Sequence, residues 1–187
     1  MEMTQTQRLP VPRDVAWGAL NDTDVLKQCI PGCESIEPDG ENAYLLAMTA
    51  AVGPVKARFK GRMVLSDIQA PESYTIQFDG QGGAAGFGKG TARVSLVDQG
   101  DETDLTYVVH AQVGGKIAQI GSRLVDGAAR KLAEAFFTRF TEAVSGGKEA
   151  EGQAVNEEAD AAQADGGDEQ QGSEKRKRSW TAWISKS

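Results

Sequence analysis

"KIAQIGSRLVDGAARKLAEAFFTRFTEAV", Lys116 to Val144, is the stretch that decides the fold of this 187-residue chain. Ile120, Leu124, Ala128, Leu132, Phe136, Phe140 and Val144 recur every fourth position, and Ile117, Gly121, Val125, Ala129, Ala133 and Phe137 widen the same stripe. The spacing predicts one helix of roughly 29 residues, about 43 Å long at 1.5 Å per residue, with Gly146 and Gly147 as its stop. So broad an apolar face needs a large apolar partner, because neither an isolated helix nor an isolated sheet is stable in water.

That partner lies upstream. From Glu34 to Ala111 the apolar period falls to two. "CESIEPDGENAYLLAMTAAV" holds two strands around a turn at "PDGEN". "GPVKARFKGRMVLSDI", Gly53 to Ile68, alternates through Val55, Ala57 and Phe59, with a shift of register and hence a bulge or bend expected at Gly61, before Met63 and Leu65. "ESYTIQF", "GTARVSLVD" and "TDLTYVVHAQV" follow, separated by "APE", the glycine-rich "DGQGGAAGFGKG" and "QGDE". Links this short join antiparallel neighbours, so the sheet is expected to be a meander of six or seven strands.

Before the sheet, "MTQTQRLPVP" reads as an opening strand ending by Pro12. A short helix in "PRDVAWGALN" turns Val15, Ala16, Ala19 and Leu20 to one face. A second in "DTDVLKQC", capped by Asp22 or Thr23, turns Val25, Leu26 and Cys29 inward until Pro31 and Gly32 stop it. The predicted class is therefore α+β in a helix-grip layout, a curved antiparallel sheet around a long C-terminal helix. Ala47, Ala50, Ala51, Ala57 and Ala92 in the strands and Gly121, Ala128, Ala129 and Ala133 in the helix are all small. They either leave an internal apolar cavity, the ordinary form of a small-molecule site, or let sheet and helix approach closely; the residue pattern leaves both open.

Charge divides the chain into three. Residues 1–145 carry 14 Lys/Arg against 18 Asp/Glu, residues 146–174 carry 1 against 9, and residues 175–187 carry 5 and none. The first is expected to be the folded, ligand-binding domain. The second, with one valine and no aromatic residue, is too polar to bury a core and reads as an acidic flexible linker. The third holds "KRKRSWTAWI". If Ser179 caps a short helix, Trp180, Trp183 and Ile184 share one side, just after Lys175, Arg176, Lys177 and Arg178. Tryptophan favours the headgroup boundary and basic residues are drawn to anionic lipid, so this tail is expected to bind a membrane surface, a protein partner being the alternative. Overall acidity, with a formal net charge of -7, argues against nucleic acid as partner. The N-terminal "MEMTQTQRLPVPRD" has no signal-peptide core and no apolar run suits a membrane span, so the body is expected inside the cell.

Several motifs invite chemistry without supporting it. "GAAGFGKGT", Gly83 to Thr91, approaches a phosphate-binding loop, but Gly90 stands where Ser or Thr must hold magnesium and a strand follows where a helix is needed. It reads as a hairpin connection, with Phe87 as its apolar member and a possible lid. His110 has no second ligand at metal spacing, and Cys29 and Cys33 fit packing thiols. Glu134 and Glu142 read as solvent-side partners of Lys131 and Arg139. No catalytic residue, metal ligand or covalent cofactor is expected. Lys56, Arg58, Lys60 and Arg62 put one cationic face on a strand, turned to solvent, an enzyme partner or phospholipid.

"DVLKQCIPGCESIE", Asp24 to Glu37, and "GPVKARFKGRMVLSDI" resemble the most recognisable stretches of the CoxG family of carbon monoxide dehydrogenase subunits, a branch of the START-like, SRPBCC (Bet v 1-like) superfamily. The similarity covers residues 2 to about 145. It implies a helix-grip domain with an apolar cavity and no enzyme activity of its own. It also implies a carrier of respiratory quinone, menaquinone or ubiquinone, that recruits a molybdenum-containing carbon monoxide dehydrogenase or related hydroxylase at the cytoplasmic face of the inner membrane. The alternative within the resemblance is an anchoring adaptor without transferable cargo. The resemblance places the "IPGC" corner, Ile30 to Cys33, near a cavity mouth. The candidates for lining or gating are Leu26, Ile30, Phe59 and Phe87, with Ile117, Ile120, Leu124, Ala128 and Leu132 from the helix.

Overall fold

The structure, a computed structural model, describes residues 1–154, without the side chains of 147–154. Seven antiparallel strands, β1 (Glu2–Leu9), β2 (Cys33–Pro38), β3 (Ala43–Val52), β4 (Val55–Gln69), β5 (Ser73–Gln81), β6 (Phe87–Asp98) and β7 (Thr103–Gly114), form one sheet. Helices α1 (Arg13–Leu20) and α2 (Thr23–Cys29) precede β2, and α3 (Lys116–Gln119) and α4 (Ser122–Ala154) follow β7. The α+β, helix-grip expectation holds: the sheet carries helices on one face only.

Strand order is β1-β7-β6-β5-β4-β3-β2. β2 to β7 are the expected meander, but β1 is not part of it. It crosses to the far edge and pairs with β7, from Glu2 opposite His110 to Leu9 opposite Thr103. The two short helices occupy the connection. Asp22 caps α2, its carboxylate accepting from the Asp24 and Val25 N–H groups at 2.8 and 3.2 Å. In α1, Ala16 and Leu20 are buried as the periodicity predicts, whereas Val15 is 49% exposed, because so short a helix covers the sheet with one narrow stripe.

The long helix departs from its prediction twice. Ile120 closes α3, and Gly121, at φ +96°, breaks the helix before Ser122 restarts it. A glycine adopts this left-handed backbone without Cβ strain, so the four-residue apolar pattern passes uninterrupted across a real bend. At the other end α4 runs through Gly146 and Gly147 to Ala154. The ion pairs expected from Lys131 to Glu134 and from Arg139 to Glu142 do not form among the described residues; Arg139 instead lies close enough to Cys29 to favour its thiolate, against the burial that pushes that thiol's pKa up.

Gly61 also corrects the reading of β4. Register is continuous through it, with Leu46 on one side and Gly80 on the other, and the irregularity falls between Ser66 and Gln69, where Asp67 has φ +50°. Val55 to Leu65 share one parity throughout, so no shift was needed. Gly61 is required for space, because a Cβ there would lie 2.5 Å from the Asp79 carbonyl oxygen and 2.9 Å from Gly80 Cα.

The main core joins α1, α2 and the C-terminal half of α4 to the sheet. Leu9, Val11, Ala16 and Phe140 are fully buried, and Leu105 and Cys29 nearly so. Phe136 stacks on Phe140 at 5.5 Å between centroids, and Phe137 on Tyr107 at 5.2 Å. A smaller cluster of Ala85, Ile117 and Val125 closes the other end.

Candidate ligand-binding site

Two apolar pockets lie between the sheet and the helices. The first, about 270 Å³, is walled by Leu20, Leu26 and Ile30 from the short helices and their ends, by Phe136 and Phe137 of α4, and by Leu65, Tyr74, Ile76, Val94, Leu105 and Tyr107 of the sheet. No charged side chain lines it. The second, about 430 Å³, is walled by Leu46, Met48, Ala50, Val52, Phe59 and Phe78 of the sheet and by Ile117, Val125, Ala128, Ala129 and Leu132 of the helices, with Arg62 and Asp79 contributing to its rim. Met63, Ile76 and Ala92 border both. Of these three shared wall residues Ala92 is the smallest.

Local sequence explains why these side chains converge. Strand alternation sends Tyr74, Ile76 and Phe78 of β5 to the helix side, opposite Val94, Ala92 and Gly90 of β6 in register. Ala128 and Ala129 then keep α4 from filling the space above them. Few polar groups interrupt the first pocket. Asn21 donates to the Trp17 carbonyl at 2.8 Å, and the Tyr107 hydroxyl donates to Gln5 Oε1 at 2.6 Å. Burial raises the Tyr107 phenol above its ordinary value, with Glu134 adding to the shift, and burial alone raises Tyr74 strongly. Both remain neutral at physiological pH.

The residues singled out from the sequence separate into three places. Leu26 and Ile30 line the first pocket, and Phe59, Ile117, Ala128 and Leu132 line the second. Ile120 and Leu124 line neither pocket: Ile120 packs against the Ala85, Ile117 and Val125 cluster, both side chains lie over Gly53, and Leu124 is 51% exposed beside a shallow surface cleft that shares Ala128 and Leu132 with the second pocket. Phe87 borders neither pocket. It opens β6 rather than lying in the hairpin link, whose turn is the short 3-10 segment Gly83–Ala85, and its ring covers Gly114 with Lys89 Nζ 5.9 Å from its centroid. A ring fixed over the neighbouring strand is a packing element of the hairpin. Tyr74, Tyr107, Met63, Ile76, Ala92, Phe136 and Phe137 line the first pocket beyond the candidates drawn from the sequence; the signals that could have found them are strand alternation for the first five and the apolar stripe of the long helix for the two phenylalanines.

The remaining motifs settle on the surface. "FGKG", Phe87 to Gly90, opens strand β6, so no helix N-terminus follows the loop to hold a phosphate. His110 sits on the outer face with its Nδ1 3.8 Å from Glu2 Oε1. In the cationic row on β4, Arg58 pairs with Glu34 and Arg62 with Asp39, each at 2.6 Å. A hydrogen bond from Thr49 and the Arg58 guanidinium lower the Glu34 carboxyl pKa. The basic, tryptophan-containing tail of residues 175–187 lies outside the described residues, as does most of the acidic segment before it.

A family model described as the CoxG subunit of carbon monoxide dehydrogenase matches residues 6–145. The chain belongs to the CoxG family. Through it the chain joins the SRPBCC (Bet v 1-like) superfamily, and several solved structures share the fold. A conserved protein of Geobacillus kaustophilus is similar at 30% identity with a TM-score of 0.74, over 78% of this chain and 95% of that one. The ZhuI aromatase/cyclase of Streptomyces sp. R1128 is similar in fold at 12% identity and a TM-score of 0.57, over 78% and 93%. Ara h 8.0201 is similar in fold at 14% identity and a TM-score of 0.55, over 78% and 98%. No curated protein sequence matches significantly. As a CoxG-family member the chain is a non-enzymatic protein. Among the described residues no group of three or more His, Cys, Asp or Glu side chains could hold a metal, and no helix is long and apolar enough to cross a membrane.

Proposed function

We propose that this CoxG-family chain is a non-enzymatic carrier of a hydrophobic, quinone-like molecule. The observation that carries the reading is the pair of apolar pockets between sheet and helices, which share Met63, Ile76 and Ala92 as wall residues; joined, they would form one internal cavity beneath α4. Their volumes of about 270 and 430 Å³ stand against the roughly 300–1,000 Å³ of pockets that enclose small ligands. Hollows lined almost wholly by apolar side chains, with charge only from Arg62 and Asp79 in the second, are costly to leave empty and suit an oily guest. Electron-transfer chemistry would then belong to the guest and to a partner enzyme, which the family name points to as a carbon monoxide dehydrogenase-type complex.

Ala92 supplies the test. Ala92→Phe places a ring at a wall position that the two pockets share, on the inward side of β6. Protein purified from its natural host is expected to carry a stoichiometric apolar molecule in native mass spectrometry. The A92F variant is expected to lose it while melting at the same temperature or above, because the ring fills empty volume. A variant that folds and retains its guest would place the cargo elsewhere than beside Ala92, and wild type purified without any apolar molecule would overturn the carrier reading.

The carrier is proposed to work at the cytoplasmic face of the inner membrane, held there by the tail from Lys175 to Ser187. In flotation with phosphatidylglycerol vesicles the full chain is expected to rise, and a chain ending at Glu174 to stay behind. Equal flotation of the two would remove the tail from the proposal. The adaptor alternative, with no cargo, predicts tail-dependent flotation and no bound molecule.

A further inference from the structure

The two edges of the sheet are built differently. β2, at one edge, is short at 6 residues, has an irregularity in its pairing between Cys33 and Ser35, carries Glu34 and Glu37, and closes on Pro38. Short length, bulges, charge and proline all keep a foreign strand from adding to an edge. β1, at the other edge, is 8 residues long, contains no proline, glycine or lysine, and keeps its register with β7 without a shift from Glu2 to Leu9. Among the described residues no strand lies beyond it.

The ladder on its other side decides which groups that edge presents. Met1 and Ala111 exchange both backbone hydrogen bonds, at 3.0 and 2.9 Å. Antiparallel pairs alternate, so Met3, Gln5, Gln7 and Leu9 bond to β7 in the same way, whereas Glu2, Thr4, Thr6 and Arg8 turn their N–H and C=O groups to the free edge. Close side-chain contacts from the second set to β7 agree, with Thr6 Oγ1 2.8 Å from Thr106 Oγ1 and Arg8 Nε 2.8 Å from Asp104 Oδ1.

This edge complements itself. Set antiparallel against a second copy about a two-fold axis at Gln5, it brings Glu2 opposite Arg8, Met3 opposite Gln7, Thr4 opposite Thr6 and Gln5 opposite itself. The outward-turned residues then face only one another, and each such pair exchanges two bonds, roughly eight in all. Opposite charges fall directly across from each other at both ends. Arg8 donates three N–H groups to Asp104 and Glu102, which leaves two of the five on a guanidinium for an incoming carboxylate. Sliding the pairing by two residues in either direction sets Glu2 or Arg8 against a threonine and loses both ion pairs.

We propose that β1 is a self-recognition edge, through which two copies of this chain pair antiparallel over Glu2 to Arg8 and join their sheets into one. The contact is isologous and consumes both β1 edges, leaving the blunted β2 edges outermost, so association stops at the dimer. An interface this narrow lies at the small end of specific ones, and the dimer is expected to be reversible. Nothing in the inference depends on what the pockets hold.

Sedimentation velocity of the full chain over a wide concentration range is expected to show a monomer–dimer equilibrium. Thr4→Pro removes an outward N–H that takes no part in the β7 ladder, a position where a sheet tolerates proline; it is expected to keep the wild-type circular dichroism spectrum and to dimerise at least about 10-fold more weakly. Glu2→Arg, which sets like charges across both ends, is expected to weaken the dimer about 3- to 10-fold. The register is read by oxidative cross-linking, with wild type as the control for Cys29 and Cys33. Gln5→Cys places the new thiols on facing residues with Cα atoms about 4.5 Å apart, inside disulfide reach, and is expected to give a covalent dimer. Gln7→Cys places them roughly 14 Å apart and is expected to give none. Should Thr4→Pro fail to fold, the cross-linking pair decides. A wild-type monomer at every concentration, a dimer undiminished in a folded Thr4→Pro, or cross-linking of Gln7→Cys as readily as Gln5→Cys would each overturn the proposal. So would a dimer that persists in Thr4→Pro but dissolves in high salt, since pairing between the acidic and basic segments beyond residue 146 would then account for it.

Discussion

Phe140→Ala is expected to cost about 3–5 kcal/mol in urea unfolding, the usual range for removing a fully enclosed aromatic ring. Phe140 is 0% exposed, stacks on Phe136, and belongs to the cluster that ties Leu9, Val11, Ala16 and Cys29 to the sheet. It is therefore where α1, α2 and α4 are pinned together. A domain of ordinary stability holds about 5–15 kcal/mol, so the loss is a large share of the whole. At about 2–4 °C per kcal/mol for a chain of this size, the midpoint should fall by roughly 6–20 °C. Leu124→Ala, on the same helix but 51% exposed, should cost far less. Comparable losses at the two positions would contradict the placement of the core.

The second large effect is expected at Gly90. A Cβ there would overlap the His110 carbonyl oxygen and lie 2.8 Å from Ala111 Cα, both backbone of the adjoining strand. A main chain already fixed in a ladder on both sides cannot step aside as a side chain can, so Gly90→Ala must spread β6 from β7 or break their pairing. A loss of about 3 kcal/mol or more is expected, at or above the upper end of ordinary overpacking. Gly88, two residues earlier, is the internal control. The nearest atom to its added Cβ is Val113 Cγ1 at 3.9 Å, and Gly88→Ala should be near neutral. The check is the difference in midpoint between the two variants; equal midpoints would mean that the strands do not approach as described.

Both positions bear on how much could be read from the letters. The burial of Phe140 follows from its place on a four-residue repeat, and strand alternation identified β2 to β7 as a run of neighbours, because hairpins are local objects whose links are visible. The neighbour of β1 was not legible: pairing Glu2–Leu9 with Thr103–Gly114 depends on a contact across about a hundred residues, for which no local pattern exists. The bend at Gly121 was hidden for a different reason. Ile117, Ile120, Leu124 and Val125 keep helical spacing across it, and only the backbone angle at the glycine distinguishes a break from a small residue in a continuous helix.

The site was legible in the same uneven way. Leu26, Ile30, Phe59, Ile117, Ala128 and Leu132 border the pockets because inward-facing periodicity is a good guide to which side chains see the interior. Phe87 does not, because a ring in a glycine-rich stretch looks free until the strand that supports it is known.

The pairing of the first strand with the last has a consequence for synthesis. Elongation at roughly 5–20 residues per second leaves a delay of about 5–20 s between the emergence of Glu2–Leu9 and that of the segment it must join. Throughout that interval the nascent polypeptide carries an unmatched edge and, until α4 leaves the ribosome, an uncovered oily sheet. Holdase depletion is therefore expected to bring down incomplete chains ending before Thr103 sooner than finished ones.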